Sequence, residues 1–413
     1  MLERETERAD REARQRGRTR NGSGGLLRKG IPFAVAFAAG FVFGKRREAD
    51  GTGSESAETE AGKFSEVASK VRERATPGAT DEGKSADAEG ATDQPSSMGS
   101  VSGEAVREDE REGGESETES EPEGAQPAGT KAAGIDAEVA DLSAPSAHGM
   151  PMLGLGTYQM EEYDECVEAV RQAIQMGYEH IDTAEGYDNE DAVGDAMVEA
   201  EIGRDDLFLA TKISPDNLDY DHVLTSAADS FERLGVDYVD LLYVHWPTGE
   251  YEATDTLEAF AELREEDLIG EIGVSNFTVE QLEEAIEVSE EPIFTNQVEM
   301  HPLLPQQKLR QFCAQDDVDV ELVAYSPIAR GDVSDVDELQ EVAEKHGTTP
   351  AQVSLAWLRE KEVTAIPKAT GEDHLRENWL SLGLELDDED MEKIDSIEER
   401  QRIVDPDEAP WNQ

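Results

Sequence analysis

From about His148 onward, short apolar runs of strand character alternate with amphipathic stretches of helical period, and this alternation leaves few folds open. The strand candidates are LGLGTY, HIDTA, LFLATKI, YVDLLYVHW, IGEIGVSN, IFTNQVEM, ELVAYSP and VTAIPK. Between them lie helical patterns such as DECVEAVRQAIQMG, LTSAADSFERLG, TLEAFAELREEDL and TVEQLEEAIEVSE. Eight strand-helix units in about 266 residues predict an α/β chain closed into a (β/α)8 barrel. A doubly wound sheet is the alternative, but its dinucleotide fingerprint is missing: Gly154-Leu155-Gly156 has Gln159 where a third glycine is needed. No phosphate-binding G-x-x-x-x-G-K-[ST] loop occurs either.

In such a barrel the functional groups collect at the C-terminal ends of the strands. Those positions read Asp182, Lys212, His245, Ser275 and Asn276, Gln297, Tyr325 and Ser326, and Lys368, with Tyr187 five residues beyond Asp182. A phenol with its ordinary pKa of about 10 is a weak acid for neutral pH. An ammonium at Lys212 would favour the tyrosinate and lower that value, while Asp182 would keep the lysine charged and in place. His245 can hydrogen-bond and orient a substrate oxygen. A carbonyl that accepts hydride at carbon develops negative charge on oxygen, the charge such a cluster would protonate. Taken singly, each residue also has an ordinary reading: helix cap, solvated charge, packing histidine, rim aromatic. Their ordered appearance at successive strand ends favours the joint one.

The segments MPMLGLGTYQ, GYEHIDTAEGYDNEDAVGDA, LFLATKI, VDYVDLLYVHWP, IGEIGVSNF, NQVEMHP, VAYSPIARG, TPAQVSLAW and IPKATGEDHLREN make residues 150 to 413 resemble an aldo-keto reductase. The resemblance implies a barrel capped by an N-terminal hairpin, here around Met152 to Thr157, and NAD(P)H-dependent reduction of aldehydes and ketones. It places the catalytic tetrad on Asp182, Tyr187, Lys212 and His245, with Tyr187 as acid. It sets Ser275, Asn276 and Gln297 against the nicotinamide carboxamide, Tyr325 against its ring, Ser326 and Ile328 along the pyrophosphate, and Glu377 and Asn378 at the adenine. Gly156, Thr157, Lys368, Ala369 and His374 complete the implied cofactor contacts. NADPH-preferring relatives carry a serine and an arginine where Ala369 and His374 stand, so both NADPH and NADH are expected to serve. The loops after strands four and seven are short, and Tyr158, Trp246 and Trp411 are expected around an open pocket for small aldehydes, 2-oxoaldehydes or diketo sugar acids. The alternative activity is a redox-sensing accessory subunit resembling the β subunits of potassium channels.

Charge divides the chain into three zones. Residues 1–47 carry 12 basic against 5 acidic side chains, residues 48–147 carry 8 against 25, and residues 148–413 carry 16 against 66. A domain with a net charge of -50 excludes nucleic acid as a partner and points to a salt-rich cytoplasm, as in halophiles. The middle zone is rich in Glu, Gly and Ser and reads as a disordered tether. In the first, the apolar run from Ile31 to Gly44 would reach about 21 Å as a helix, short of a hydrocarbon core of about 30 Å. With Ala36, Gly40 and Gly44 spaced by four, residues 26–47 are expected to associate with a membrane, as a short span or an interfacial anchor, or to bind a protein. The excess of Arg and Lys before the run would send the barrel outside, but an intracellular cofactor argues for the inner face. Cys166 and Cys313 lie apart without metal-ligand spacing, and the seven histidines are scattered, so no disulfide and no metal are expected. The barrel is expected to be monomeric.

Overall fold

The computed structural model describes Val139 and residues 142–412. The expectations for the apolar run 31–44 and for most of the acidic tether lie outside the described residues. Among the described residues, ten short strands and ten complete α-helices follow one another in the expected alternation. Strand β1 (Ser146–Ala147) pairs antiparallel with β2 (Met150–Pro151), in the register Ser146↔Pro151 and Ala147↔Met150. Eight parallel strands then form one sheet in chain order: β3 (Leu155–Gly156), β4 (His180–Asp182), β5 (Phe208–Ile213), β6 (Val239–Val244), β7 (Ile269–Ser275), β8 (Ile293–Glu299), β9 (Glu321–Tyr325) and β10 (Thr364–Ala365). The first and last strands meet through a parallel bridge, Leu153↔Ala365, in which Gly154 N donates to Ala365 O at 2.9 Å and Ala365 N to Met152 O at 2.9 Å. That bridge closes the barrel, so no long sheet edge is left unpaired.

Helices α1 (Tyr163–Met176), α2 (Glu190–Glu199), α3 (Tyr220–Leu234), α4 (Ala253–Glu265), α5 (Val279–Val288) and α6 (Gln307–Cys313) follow β3 to β8 in turn. Helices α7 (Asp337–His346) and α8 (Pro350–Glu360) lie between β9 and β10, and α9 (Glu372–Leu380) and α10 (Asp388–Asp395) follow β10. Local signals set their ends. Helix α3 starts at Asp219, whose side chain accepts from His222 N, and ends at Gly235 with φ 66°. Its residues Val223, Ala227, Phe231 and Leu234 recur at helical spacing and are buried. Helix α5 opens on a reciprocal Thr278–Gln281 capping box.

The hairpin lies earlier than expected. Its turn is His148-Gly149, with φ of 49° and 95°, the positive pair that a two-residue turn of this hand requires. Residues 152–157 instead hold the first barrel strand, and their glycines serve close approach rather than turning. A Cβ at Gly154 would stand 2.7 Å from the His180 ring, and one at Gly156 would stand 2.8 Å from Ile366 O. The boundary expected at His148 thus falls inside a turn. Met152 N donates to Pro145 O at 2.8 Å, Trp379 Nε1 donates to Val139 O at 3.2 Å, and Leu142 packs on the core. Inside the barrel, Met150 plugs the floor among Ala210, Leu241, Tyr243, Val323 and Ile366, while the alternate residues Leu209, Leu242, Val244 and Leu322 pack outward with the helices.

Candidate active site

The pleat of the strands aims alternate residues inward, and toward the strands' C-terminal ends those residues become polar. Asp182 ends β4 and Lys212 lies near the end of β5; both side chains are fully buried, at 2% and 0% exposure. The Lys212 ammonium donates to an Asp182 oxygen and, at 2.6 Å, to Thr183 O. Gln297 Nε2 donates to the other Asp182 oxygen at 2.7 Å, so strands four, five and eight are tied by one carboxylate. Tyr187 sits on a 3₁₀ turn, Glu185–Tyr187, that returns the chain over this pair. Its ring centroid is 5.0 Å from Lys212 Nζ and 5.6 Å from the His245 ring, which meets it edge-on. The four residues singled out at successive strand ends are therefore brought together.

Electrostatics differ from the expectation in one respect. Burial, followed by the Asp182 charge, holds the Tyr187 phenol well above its ordinary range, whereas a lowering by Lys212 was expected. Lys212 is itself drawn below its usual range by burial, against the Asp182 carboxylate beside it. Its hydrogen bonds go to Asp182 and Thr183 O, so its charge is largely answered before it reaches the phenol. Tyr187 thus stays protonated at neutral pH, the state a proton donor must hold. Burial, then the Lys212 charge, pushes His245 down to about 3, leaving a neutral imidazole.

Beside the tetrad runs a second polar row. Ser275 Oγ donates to Gln297 O at 2.9 Å, Asn276 Nδ2 donates to Ser275 Oγ and to His245 O at 3.1 Å each, and the Tyr325 hydroxyl donates to Asn276 Oδ1 at 2.8 Å. Asn276 adopts φ 66°, which turns its amide into this row. An aromatic face next to side-chain amides and a hydroxyl is a donor set that fits a nicotinamide and its carboxamide. After β9, Ser326, Ala329 and Arg330 take φ of 47°, 49° and 53°, so the chain around Ile328 turns tightly at the mouth. Thr157 is buried and donates to Thr183 Oγ1 at 2.9 Å, and Gly156 pairs with Asp182 in the sheet. Beyond β10, Lys368 is exposed and Ala369 buried. On α9, His374 is exposed and pairs with Glu377 at 3.4 Å, while Asn378 is buried and its carbonyl accepts from Ser381 Oγ at 2.6 Å.

Aromatic side chains frame the mouth. Tyr158 is 48% exposed with its ring centroid 5.1 Å from that of Tyr187, and Trp246, next to His245, lies 5.7 Å from Trp411. Three contributors escaped the sequence reading. Glu185 accepts from Ser214 N and Asn217 Nδ2 at 2.9 Å each, pinning the Tyr187 turn to the loop after β5. Asn189 donates to Thr157 O at 3.0 Å and Met160 O at 3.2 Å. Glu299, wholly buried at the end of β8, accepts from the C-terminal segment. Two-residue alternation from Gln297 was the available signal for Glu299; its backbone partners in the C-terminal segment are too far along the chain to be seen.

Residues 152–399 match the Aldo/keto reductase family. The chain belongs to that family. It is 40% identical over 260 residues to the glyoxal reductase of Bacillus subtilis (strain 168), an alignment covering 63% of this chain and 93% of the relative. It is 37% identical over 260 residues to the methylglyoxal reductase DkgB of Escherichia coli O157:H7, covering 62% and 96%. Among solved structures, an aldo/keto reductase from Brucella melitensis superposes with a TM-score of 0.58 at 36% identity, over 61% of this chain and 99% of that one. A Bombyx mori aldo-keto reductase in complex with NADP does so with a TM-score of 0.60 at 28% identity, over 64% and 96%. This aldo-keto reductase is accordingly an NAD(P)H-dependent oxidoreductase that reduces carbonyls. Among the described residues no cluster of His, Cys, Asp and Glu is arranged to hold a metal, and no helix is long and apolar enough to cross a membrane.

Proposed function

We propose that the enzyme reduces small 2-oxoaldehydes, with Tyr187 as the proton donor. The observation that carries this is the buried Asp182–Lys212 pair beneath the Tyr187 ring, with a neutral His245 edge-on beside it. The bound nicotinamide supplies the hydride. The protein's part is to hold the substrate oxygen between the Tyr187 hydroxyl and His245 and to protonate it as charge develops. Burial and the Asp182 charge keep the resting phenol protonated; Lys212, whose Nζ is 5.0 Å from the ring centroid, offsets part of that cost as negative charge forms on Tyr187 during proton transfer. Ser275, Asn276, Gln297 and Tyr325 would hold the nicotinamide. The names of the glyoxal and methylglyoxal reductases support the substrate class, and Tyr158, Trp246 and Trp411 would form the pocket wall.

The 2'-phosphate of NADPH is best held by a guanidinium fork and a hydroxyl. Ala369 offers no hydroxyl and His374 is engaged with Glu377, which supports dual use of NADH and NADPH. We further propose a salt-rich cytoplasmic setting for so acidic a chain, a monomeric barrel, and residues 26–47 as a membrane anchor on the inner face, joined by the tether 48–147. Multiple-turnover oxidation of NADH and NADPH with methylglyoxal in molar potassium chloride tests the reading. Turnover with NADH within about tenfold of NADPH in kcat/KM supports it, since a lost charge-assisted contact of about 1.5 to 3 kcal/mol erodes a strong preference. No turnover with methylglyoxal, glyoxal or simple aldehydes would remove it.

A further inference from the structure

A buried carboxylate clasps the backbone of the C-terminal segment over the barrel mouth. Glu299 is 0% exposed, and its two oxygens divide three donors: Ile403 N reaches Oε1 and Val404 N reaches Oε2, each at 2.7 Å, and His301 Nε2 meets Oε1 at 3.0 Å. A carboxylate only accepts, so Nε2 of His301 carries the hydrogen. Burial alone would raise the Glu299 carboxyl, but the bonds from His301, Ile403 and Val404 outweigh it and hold the group below its ordinary range. Beyond this clasp the segment folds on itself: Trp411 Nε1 and Asn412 Nδ2 both donate to Asp405 Oδ1 at 2.8 Å, and the Arg402 guanidinium lies 3.9 Å from the Trp411 ring centroid. Trp411 is thereby set against Trp246, the residue after His245. Before the clasp, Gln401 N donates to Leu303 O at 3.0 Å, so the segment enters from the loop after β8.

We propose that Glu299 is a positioning residue for substrate selectivity: by clasping the backbone of Ile403 and Val404 it presents Trp411 to Trp246 as a fixed aromatic wall beside the proton donor. The proposal rests on the reading of that mouth as the carbonyl site. Glu299 touches neither substrate nor cofactor, so its loss is felt by carbonyls that use the wall and not by those too small to reach it. Glutamine is nearly isosteric, but its amide presents a donor to at least one of the three donors now satisfied, and the segment is released.

The test uses the full chain, with phenylglyoxal as the aromatic probe and methylglyoxal as the small one, together with amide hydrogen exchange. In Glu299→Gln the amides of residues 403 and 404 are expected to exchange at least about tenfold faster, as breaking a satisfied buried bond implies. KM for phenylglyoxal is expected to rise several-fold, while kcat for both probes and KM for methylglyoxal hold. Trp411→Ala is expected to give the same KM change with exchange at 403 and 404 unaltered, and the double variant to add little, the sign of a shared path. Should Glu299→Gln fail to fold, Val404→Pro deletes one donor with Glu299 in place; exchange is then read at residue 403 alone, beside the same ratio of KM values. Unchanged exchange at 403 and 404, or faster exchange with an unchanged ratio of KM values, would overturn the proposal. A wild-type enzyme that turns over neither probe would sink the carbonyl-site reading, and the exchange result would still decide the clasp.

Discussion

The floor and the mouth of the barrel are built from the same strands and differ by one step of the pleat. Strand β5 places Ala210 at the floor and Lys212 at the mouth; along β6 the inward residues run Leu241 and Tyr243, with His245 next after the strand; β9 goes from Val323 to Tyr325, and the chain leaving β10 from Ile366 to Lys368. At the floor Met150 is surrounded by Ala210, Leu241, Val323 and Ile366, where volume is the main demand. At the mouth the inward positions carry buried charge that only a specific partner satisfies. The contrast shows that strand direction, through which end the loops return over, decides where chemistry is possible in this chain. It also separates two kinds of mutational cost.

Lys212→Met gives the largest effect, because it leaves the Asp182 carboxylate buried without its ammonium. Breaking a buried pair from one side costs about 3–5 kcal/mol, and turnover is lost as well. Adding Asp182→Asn is expected to restore part of the stability and none of the activity, read by denaturant unfolding in high salt beside steady-state rates. At the floor, Met150→Ala is expected to cost about 2–5 kcal/mol through the cavity it leaves. Activity per folded molecule is expected to stay near that of the wild type; a large fall in kcat would mean that floor and mouth are coupled. At the rim, His374→Arg is expected to move the NADPH-to-NADH ratio of kcat/KM by up to about tenfold, chiefly in KM, the size of one charge-assisted contact. A ratio left unmoved would place the phosphate on another basic group.

A further effect concerns pH. His245 is held near 3 in the fold, below its ordinary value of about 6.5 in the unfolded chain. Between those values the unfolded state binds the extra proton, so this histidine's contribution to stability is intact above about 6.5 and is lost as pH falls toward 3. His245→Gln is accordingly expected to show a shallower acid limb of unfolding than the wild type over that window. Identical limbs would mean that the imidazole titrates as if in water.

The mouth was legible in the sequence because its residues stand at strand ends, each one or two positions after an apolar run, as in HIDTAEGY and LFLATKI. The hairpin was misplaced for the converse reason. Glycines in LGLGTY look like turn residues, yet they serve close packing against His180 and Ile366, and the turn belongs to His148-Gly149. Glu299 and its partner His301 stood in plain view within NQVEMHP, but the backbone donors that Glu299 clasps lie 104 and 105 residues away, a separation that no local pattern reports. The direction of the Tyr187 phenol was misjudged because its burial, the main cause of the raise, cannot be read from a strand-end pattern, and the Asp182 charge, counted only as the lysine's partner, acts on the phenol as well.

The central claim is that Tyr187 delivers the proton from above a buried lysine-carboxylate pair. Its most direct test is Tyr187→Phe, measured by single-turnover reduction of methylglyoxal with cofactor affinity determined in parallel. Positioned acid catalysis contributes roughly 10² to 10⁴, so the account predicts a loss of at least about a hundredfold in the reduction rate with cofactor affinity unchanged. A variant that reduces methylglyoxal at close to the wild-type rate would contradict it.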